Sequence, residues 1–169
     1  ECTGPNNGML FYIYFNVITS QEVGLITITR IVEEESIIGQ GKYVRRKSIA
    51  KGSAENVITV LRSMGVPANQ YDIHVNFPGG VPTDGPSAGI AMAVGIYSAI
   101  YKIPVKNTVA MTGEIGIHGD GKPVGGVFSK ATAAKYAGAT VVIIPFETNH
   151  SSLNKIAGIE IIPVKMLEE

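Results

Sequence analysis

The stretch that decides the fold runs from residue 78 to residue 101 and reads PGGVPTDGPSAGIAMAVGIYSAIY. Its first part is rich in glycine and proline, which predicts an irregular loop. From about Ser87 to about Tyr101 the residues are mostly apolar, which predicts a helix. Small residues such as Ala91 and Gly95 allow other elements to pack closely against that helix. The sequence therefore predicts a breaker-rich loop that leads directly into a central, buried helix.

Strands and helices are predicted on both sides of this loop. Towards the amino terminus the patterns predict strands over 9–18, 23–32 and 71–77, a loop marked by Gly39, Gly41 and the basic run Arg45-Arg46-Lys47, and a helix within 46–64 that Gly65 and Pro67 end. Towards the carboxyl terminus they predict strands over 108–112, 115–118, 140–144 and 159–164, a turn at 119–121, and helices over 129–137 and 151–157, with Gly138 capping the first. Because strands and helices mix without strict alternation, we expect an α+β fold, or a mixed α/β sheet, in one domain over residues 1–169.

The composition narrows the class of protein. Fourteen basic side chains balance fourteen acidic ones, so no broad electrostatic attraction to nucleic acid is expected. Cys2 has no second cysteine to pair with, which favours a reducing, cytoplasmic location. No apolar run approaches the length of about 20 residues that a membrane-spanning helix needs, and no metal-ligand spacing is present. A start without methionine or a signal pattern suggests a fragment of a longer protein.

Ser87 is the candidate nucleophile in the loop Asp84-Gly85-Pro86-Ser87-Ala88-Gly89. Gly85 permits a tight turn and Pro86 fixes its own φ, so the serine is presented at the start of a helix. Free N–H groups and the helix dipole favour negative charge there, and serine attack on a carbonyl creates an oxyanion. The alternative is that Ser87 is an ordinary N-cap, a position where serine is strongly preferred.

Lys130 is the candidate general base. It follows the sequence Gly125-Gly126-Val127-Phe128-Ser129 and falls in the first turn of a predicted helix. The helix amino terminus and apolar neighbours both lower the pKa of a lysine ammonium, as a lysine base requires. Two alternatives stay open: Lys130 could be an ordinary solvated lysine, and the three histidines His74, His118 and His150 leave a Ser-His-Asp triad possible. Local pattern alone does not bring Lys130 near Ser87.

Ordered motifs over essentially the whole chain resemble the Lon protease family. They are Pro82–Gly89, Met111-Thr112-Gly113-Glu114-Ile115, Pro123–Gly126, Lys130–Ala134, Ala137-Gly138 and Val142–Pro145, and the spacing of Ser87 and Lys130 also matches the family. The segments Arg46–Ser53 and Phe77–Gly80 resemble the B-type members most closely. The resemblance implies several short sheets packed against about four helices.

The resemblance also implies a serine endopeptidase with a Ser-Lys dyad that acts through an acyl-enzyme. Ser87 would attack the peptide carbonyl, and Lys130 would accept its proton and later activate water. The Thr112 hydroxyl would hydrogen-bond the lysine amine, and Asp84 would shape the loop or the surroundings of the dyad. The loop residues Gly85, Pro86, Ser87 and Ala88 would form the oxyanion site.

In full-length form such a protein is expected to be a cytoplasmic, ATP-dependent homo-hexamer that degrades unfolded or damaged proteins. ATP and Mg would bind a separate ATPase module, because the glycine-rich segments 39–43 and 119–123 lack the spacing and the Ser/Thr of a P-loop. No cofactor, nucleic acid or membrane segment is expected in this domain. Phe128, Asn76 and Gly79 depart from the commonest bacterial pattern, which bears on substrate preference and pocket charge.

Two other functions fit the loop in isolation. A Pro-x-x-x-Gly-Pro-Ser-Ala-Gly loop before a helix could bind phosphate through its N–H groups, as in a small-molecule kinase. A non-catalytic interaction or RNA-binding module could share an α+β fold, although the balanced charge and the single short basic run argue against RNA. ATP binding would favour the kinase.

Overall fold

Three α-helices and ten short strands make up the part of the chain that the computed structural model describes, which is residues 12–21, 23–29, 34–39, 42–78 and 84–169. The helices are α1 (Ile49–Ser63), α2 (Gly89–Tyr101) and α3 (Val127–Tyr136). The strands are β1 (Tyr14–Thr19), β2 (Ile26–Thr29), β3 (Glu34–Gly39), β4 (Lys42–Lys47), β5 (Tyr71–Asn76), β6 (Val109–Met111), β7 (Glu114–Ile115), β8 (Gly121–Lys122), β9 (Val141–Pro145) and β10 (Glu160–Val164). Short 3₁₀ helices lie at Ala68–Gln70, Phe146–Thr148 and Ser151–Lys155. The expected α+β class is confirmed.

Two three-stranded sheets carry the fold. In the first, β5 lies between β1, which is antiparallel to it, and β2, which is parallel to it. In the second, β9 lies between β10 and β6 and is parallel to both. Parallel neighbours need a crossover connection, and α1 lies between β2 and β5 in the chain as α3 lies between β6 and β9. The crossover between β2 and β5 of the first sheet therefore contains α1, and the crossover between β6 and β9 of the second contains α3.

Two apolar clusters fill the interior. The larger one joins the buried faces of α1 and α2 to β5, with Val57, Leu61, Met92, Ile96 and Val75 all at most 1% exposed. The smaller one joins α3 to β9 and the segment after it: Ala131, Ala134, Val142, Ile144 and Leu153. The helix α2 therefore belongs to one cluster and α3 to the other.

The ends of α1 follow from local sequence. The Ser48 hydroxyl oxygen accepts a hydrogen bond from the Lys51 N–H at 3.2 Å and caps the first turn. Gly65 adopts a φ of 80°, a conformation that favours glycine, and it ends the helix as the sequence predicts.

Several local predictions are corrected. The basic run 45–47 is not a loop: it lies in β4, where Arg46 is in register with Glu35 and Lys47 with Glu34 of β3. The strand expected over 115–118 ends at Ile115, because a turn closed by the Gly119 N–H and the Gly116 carbonyl follows. The helix expected over 151–157 is a short 3₁₀ helix. The first predicted strand is observed at β1 and the second at β2, and residues 9–11 and 30–32 of these predictions lie outside the described part.

None of the helices in the described ranges is long and apolar enough to cross a membrane. Within the same ranges, no group of three or more His, Cys, Asp and Glu side chains could hold a metal ion.

Candidate active site

Ser87 lies in a tight turn just before α2. The Gly89 N–H donates to the Pro86 carbonyl at 3.1 Å, and the helix begins at Gly89, two residues later than expected. Ala88 occupies the N-cap position, and no side chain caps the helix there. The N-cap interpretation of Ser87 is therefore wrong. Gly85 has a φ of 148°, which side-chain-bearing residues rarely adopt, so glycine is needed for the turn.

Asp84 ties this loop to the start of α1. Its carboxylate accepts hydrogen bonds from the Ile49 N–H at 2.8 Å and the Ala50 N–H at 3.0 Å, and from the Ser48 hydroxyl at 3.3 Å. An anion at a helix amino terminus is stabilised by the unpaired N–H groups and the helix dipole. A second tether joins the Ser53 hydroxyl to the Pro86 carbonyl at 3.3 Å. Both tethers flank Ser87 on its amino-terminal side.

The backbone of Ser87 is also tied to the segment 112–113. Its carbonyl accepts the Gly113 N–H at 2.8 Å and the Thr112 hydroxyl at 3.3 Å. In return, the Gly113 carbonyl accepts the Ile90 N–H of α2 at 3.1 Å. The Thr112 hydroxyl, on a side chain that is 6% exposed, is thus used in a hydrogen bond to the Ser87 carbonyl. Its expected hydrogen bond to the lysine amine stays a prediction.

Lys130 lies in the first turn of α3. Its N–H donates to the carbonyl of Gly126 at 2.9 Å, and Gly126 begins the helix with a φ of 68°. Val127, Ala131 and Ala134 on the same helix are buried, whereas Lys130 is half-buried. Lys130 therefore lies on a helix whose buried residues belong to the smaller apolar cluster.

One cavity of about 550 Å³ brings Ser87, Thr112 and Lys130 together. Its walls come from both apolar clusters, with Phe77 of the larger and Ala134 and Val142 of the smaller among them. The other apolar lining residues include Ile13, Phe15, Ala88, Ala91, Val94, Val109, Ala110 and Met111. Ser87 and Lys130 thus line the same cavity, whose walls are mostly apolar.

No histidine lines this cavity. His74 lies beside Thr29 on the exposed side of the first sheet, with Nε2 3.3 Å from the threonine hydroxyl. His118 is exposed, and the Nδ1 atom of His150, also exposed, is 2.6 Å from the Ser152 hydroxyl. The basic side chains that line the cavity are therefore those of two lysines, Lys106 and Lys130, and not of a histidine.

The glycine-rich segment 119–123 is not a phosphate loop, and the turn predicted at 119–121 lies earlier: it is closed between Gly116 and Gly119, and β8 follows at Gly121–Lys122. The Lys122 ammonium pairs with the Asp120 carboxylate at 2.5 Å. The hydrogen bond from Lys122 lowers the pKa of the Asp120 carboxyl, and that same bond raises the pKa of Lys122. Lys122 is therefore engaged by its own hairpin.

Sequence reasoning missed three contributors to the site. Ser48 and Ser53 hold the loop through Asp84 and Pro86, and Phe15 of β1 forms a wall of the cavity. Ser48 and Ser53 lie within the segment Arg46–Ser53 that resembles the family, but that resemblance gave them no role. All three residues act through contacts with residues distant in the chain.

Comparison with known proteins agrees with this geometry. The family model for the Lon protease (S16) C-terminal proteolytic domain matches residues 23–169. The Lon protease 2 of Bacillus subtilis (strain 168) is 61% identical over 166 residues, which cover 98% of this chain and 30% of that protein. The Lon protease of Escherichia coli (strain K12) is 39% identical over 163 residues, 88% of this chain and 20% of that protein. That of Vibrio parahaemolyticus is 39% identical over 164 residues, 88% of this chain and 21% of that protein.

The chain thus spans less than a third of the length of these relatives. The match covers every element from β2 to β10 and includes the loop and both helices that line the cavity. This match to a proteolytic domain gives no support to a small-molecule kinase or to an RNA-binding module. The chain belongs to the Lon protease family, as a C-terminal proteolytic domain.

Proposed function

We propose that this chain is a serine endopeptidase in which Ser87 is the nucleophile and Lys130 the general base. The observation that carries the proposal is that these two residues, distant in sequence, one in the turn before α2 and the other on α3, line one largely apolar cavity. Such surroundings disfavour a charged amine, and a neutral amine is the form that can accept a proton.

The chemistry proceeds in two steps. Ser87 Oγ attacks the carbonyl carbon of the scissile peptide, its proton passes to Lys130 Nζ, and the amine product leaves after taking that proton. The acyl group stays on Ser87 as an ester. Lys130 then removes a proton from water, the water oxygen attacks the ester carbonyl, and Ser87 regains its proton as the acid product leaves.

The turn before α2 offers a place for the oxyanion. The N–H groups of Ser87 and Ala88 donate to no acceptor within the described ranges, and they precede the positive end of the α2 dipole. Two such donors, held rigid by Gly85 and Pro86, would stabilise the negative oxygen that forms during attack. Asp84 anchors this turn, and Thr112 holds the Ser87 carbonyl.

For the whole protein we infer ATP-dependent degradation of unfolded or damaged proteins. The relatives are named Lon proteases, and they are several times longer than the matched segment. We expect ATP and Mg to bind a separate ATPase module, and we expect the proteolytic domain to need no cofactor. A homo-hexamer, a cytoplasmic location and B-type membership complete the proposal, and they rest on the resemblance and on the cysteine content.

Covalent labelling and peptide cleavage test the dyad together. An active-site-directed fluorophosphonate should add to Ser87, as located by mass spectrometry, and Ser87→Ala should lose both the label and the cleavage of an unstructured peptide. Lys130→Gln should slow labelling by at least a hundredfold, because general-base catalysis contributes that much or more. Lys135→Gln on the same helix is the matched control. Undiminished cleavage by Ser87→Ala would reject the nucleophile, and full labelling of Lys130→Gln would reject the base.

A further inference from the structure

The cavity follows α2 along its whole length. Ser87 and Ala88 line it in the turn before α2, and one face of the helix continues the lining with Ala91, Val94, Gly95, Ser98 and Ala99. At a rise of about 1.5 Å per residue, the helix spans about 15 Å from Gly89 to Ala99, and the turn that carries Ser87 adds to that length. The cavity is therefore a groove with a catalytic end at Ser87 and a distal end, which we define as Ser98, Ala99, Val105, Lys106 and Asn107.

Small residues on α2 allow β1 to pack closely against the helix along this groove. Ala91, Gly95 and Ala99 recur at intervals of four residues and so share one helix face. Opposite them lies β1, whose Phe15 ring rests against α2 so closely that a side chain at Gly95 would overlap it. Apolar walls thus continue from the catalytic end past Phe15 towards the distal end.

The distal end has a fixed shape, and its rim combines the apolar Val105 with the exposed, polar Lys106 and Asn107. The Ser98 hydroxyl donates to the Ile103 carbonyl, and the Ile103 N–H donates to the Ser98 carbonyl at 3.0 Å. These bonds hold the segment after α2 against the helix. Val105 is 43% exposed, and Tyr12 on the β1 side is 64% exposed, although both line the groove. Exposed apolar side chains around a recess are typical of a binding surface.

We propose that the distal end is a substrate subsite, which binds an apolar side chain of the polypeptide about five residues away from the cleaved bond. An extended chain advances about 3.3 Å per residue, so five or six residues span the groove, whereas no single side chain can. Continuity with Ser87 in one cavity makes the substrate the occupant. The inference rests on the proposed peptidase function and adds to it a contact with a substrate side chain that lies far from the cleaved bond.

Binding to the inactive Ser87→Ala protein tests the subsite without depending on catalysis. Fluorescence anisotropy would compare a short labelled peptide, with two residues on each side of the cleavable bond, with two long ones that carry a leucine about five residues further on. One long peptide is extended towards its amino end and the other towards its carboxyl end. We expect one long peptide to bind about tenfold more tightly than the short one, which corresponds to about 1.4 kcal/mol.

Variants at the distal end should remove this advantage. Ala99→Leu fills the recess and Val105→Asp places a charge in it, and in each the ratio of the long-peptide to the short-peptide affinity should fall close to one. Tyr97→Leu is the control, since Tyr97 is exposed on α2 and does not line the groove. Val105 is exposed on a segment after the helix, so its substitution leaves the fold testable if Ala99→Leu does not fold.

Two results would overturn the subsite. One is equal affinity for short and long peptides, and the other is a long-peptide advantage that survives both distal variants. Peptide cleavage by the parent protein is measured separately. If the parent protein does not cleave but long peptides still bind more tightly, the dyad is contradicted and the subsite stands. If it cleaves but long and short peptides bind equally, the subsite is contradicted and the dyad stands.

Discussion

Asp84 is expected to stabilise both the fold and the presentation of Ser87. Its carboxylate accepts two N–H groups from the first turn of α1, at 2.8 and 3.0 Å, beside residues that are nearly inaccessible to water: Ala50 is 4% and Ser48 is 5% exposed. A hydrogen bond to a charged group contributes about 1.5–3 kcal/mol, and an anion at a helix amino terminus about 0.3–1 kcal/mol. We therefore expect Asp84→Ala to lower the free energy of unfolding by about 2–4 kcal/mol.

Two further variants separate charge from shape. Asp84→Asn keeps one acceptor oxygen and loses the charge, so it should cost about 1 kcal/mol. Ser53→Ala removes the other tether of the loop, a single neutral hydrogen bond to the Pro86 carbonyl, and it should also cost about 1 kcal/mol. The order expected is a large loss for Asp84→Ala and two small, similar losses for the others.

Urea denaturation measures the stability, and the rate of fluorophosphonate labelling measures the presentation of Ser87. The slope of the free energy with urea should stay constant while the midpoint falls. For a chain of this length, each kcal/mol corresponds to about 2–4 °C in the melting temperature. Labelling of folded Asp84→Ala should slow as well, because the turn loses its anchor. Stability within about 0.5 kcal/mol of the parent, together with unchanged labelling, would refute the anchoring role.

Three further substitutions test other parts of the fold. Gly52→Ala should raise the unfolding free energy by about 0.5–1 kcal/mol in urea denaturation, because Gly52 is exposed within α1 and a Cβ there meets nothing within 4 Å. Gly89→Ala should lower it by about 1–3 kcal/mol and slow labelling, since its Cβ would lie 2.8 Å from the Ile115 backbone nitrogen; equal behaviour of the two variants would refute this packing. Asp120→Asn should lower the melting temperature slightly at neutral pH, and added salt should weaken the effect. Because Lys122 lowers the pKa of Asp120, the Asp120 carboxylate stabilises the fold above its unfolded pKa. The difference in melting temperature between parent and variant should therefore vanish as acid protonates Asp120. It should also vanish as base deprotonates Lys122, whose pKa is raised by the same pair.

Local signals predicted the helices better than the strands. The carboxyl end of α1 is predicted from Gly65, which acts within one turn of the helix, whereas its amino-terminal cap, Ser48, is seen only in the structure. The basic run 45–47 was misread because its conformation depends on pairing with β3, and charge content alone does not reveal a partner strand. The late start of α2 has a local cause, since the Gly89 N–H closes a turn onto Pro86 before the helix begins.

The candidate site shows the same limit more sharply. Pattern made Ser87 a plausible nucleophile and Lys130 a plausible base, but only the family resemblance joined them. In the structure, two hydrogen bonds that no local pattern predicts connect Ser87 to the second sheet. The Thr112 hydroxyl donates to the Ser87 carbonyl, and the Thr112 N–H donates to the Ile143 carbonyl of β9 at 3.0 Å. The helix α3 packs on that same strand through the smaller apolar cluster.

This sequence of contacts has a mechanical consequence. Ser87 is fixed relative to the segment 112–113, that segment is fixed relative to β9, and β9 is the surface on which α3 carries Lys130. Each connection is a hydrogen bond or a packed apolar contact. We therefore expect the separation of Ser87 and Lys130 to depend on how α3 packs on the second sheet through the smaller apolar cluster, and the orientation of Ser87 to depend on Asp84 and α1. Stability of the two clusters and reactivity of Ser87 are for this reason expected to change together.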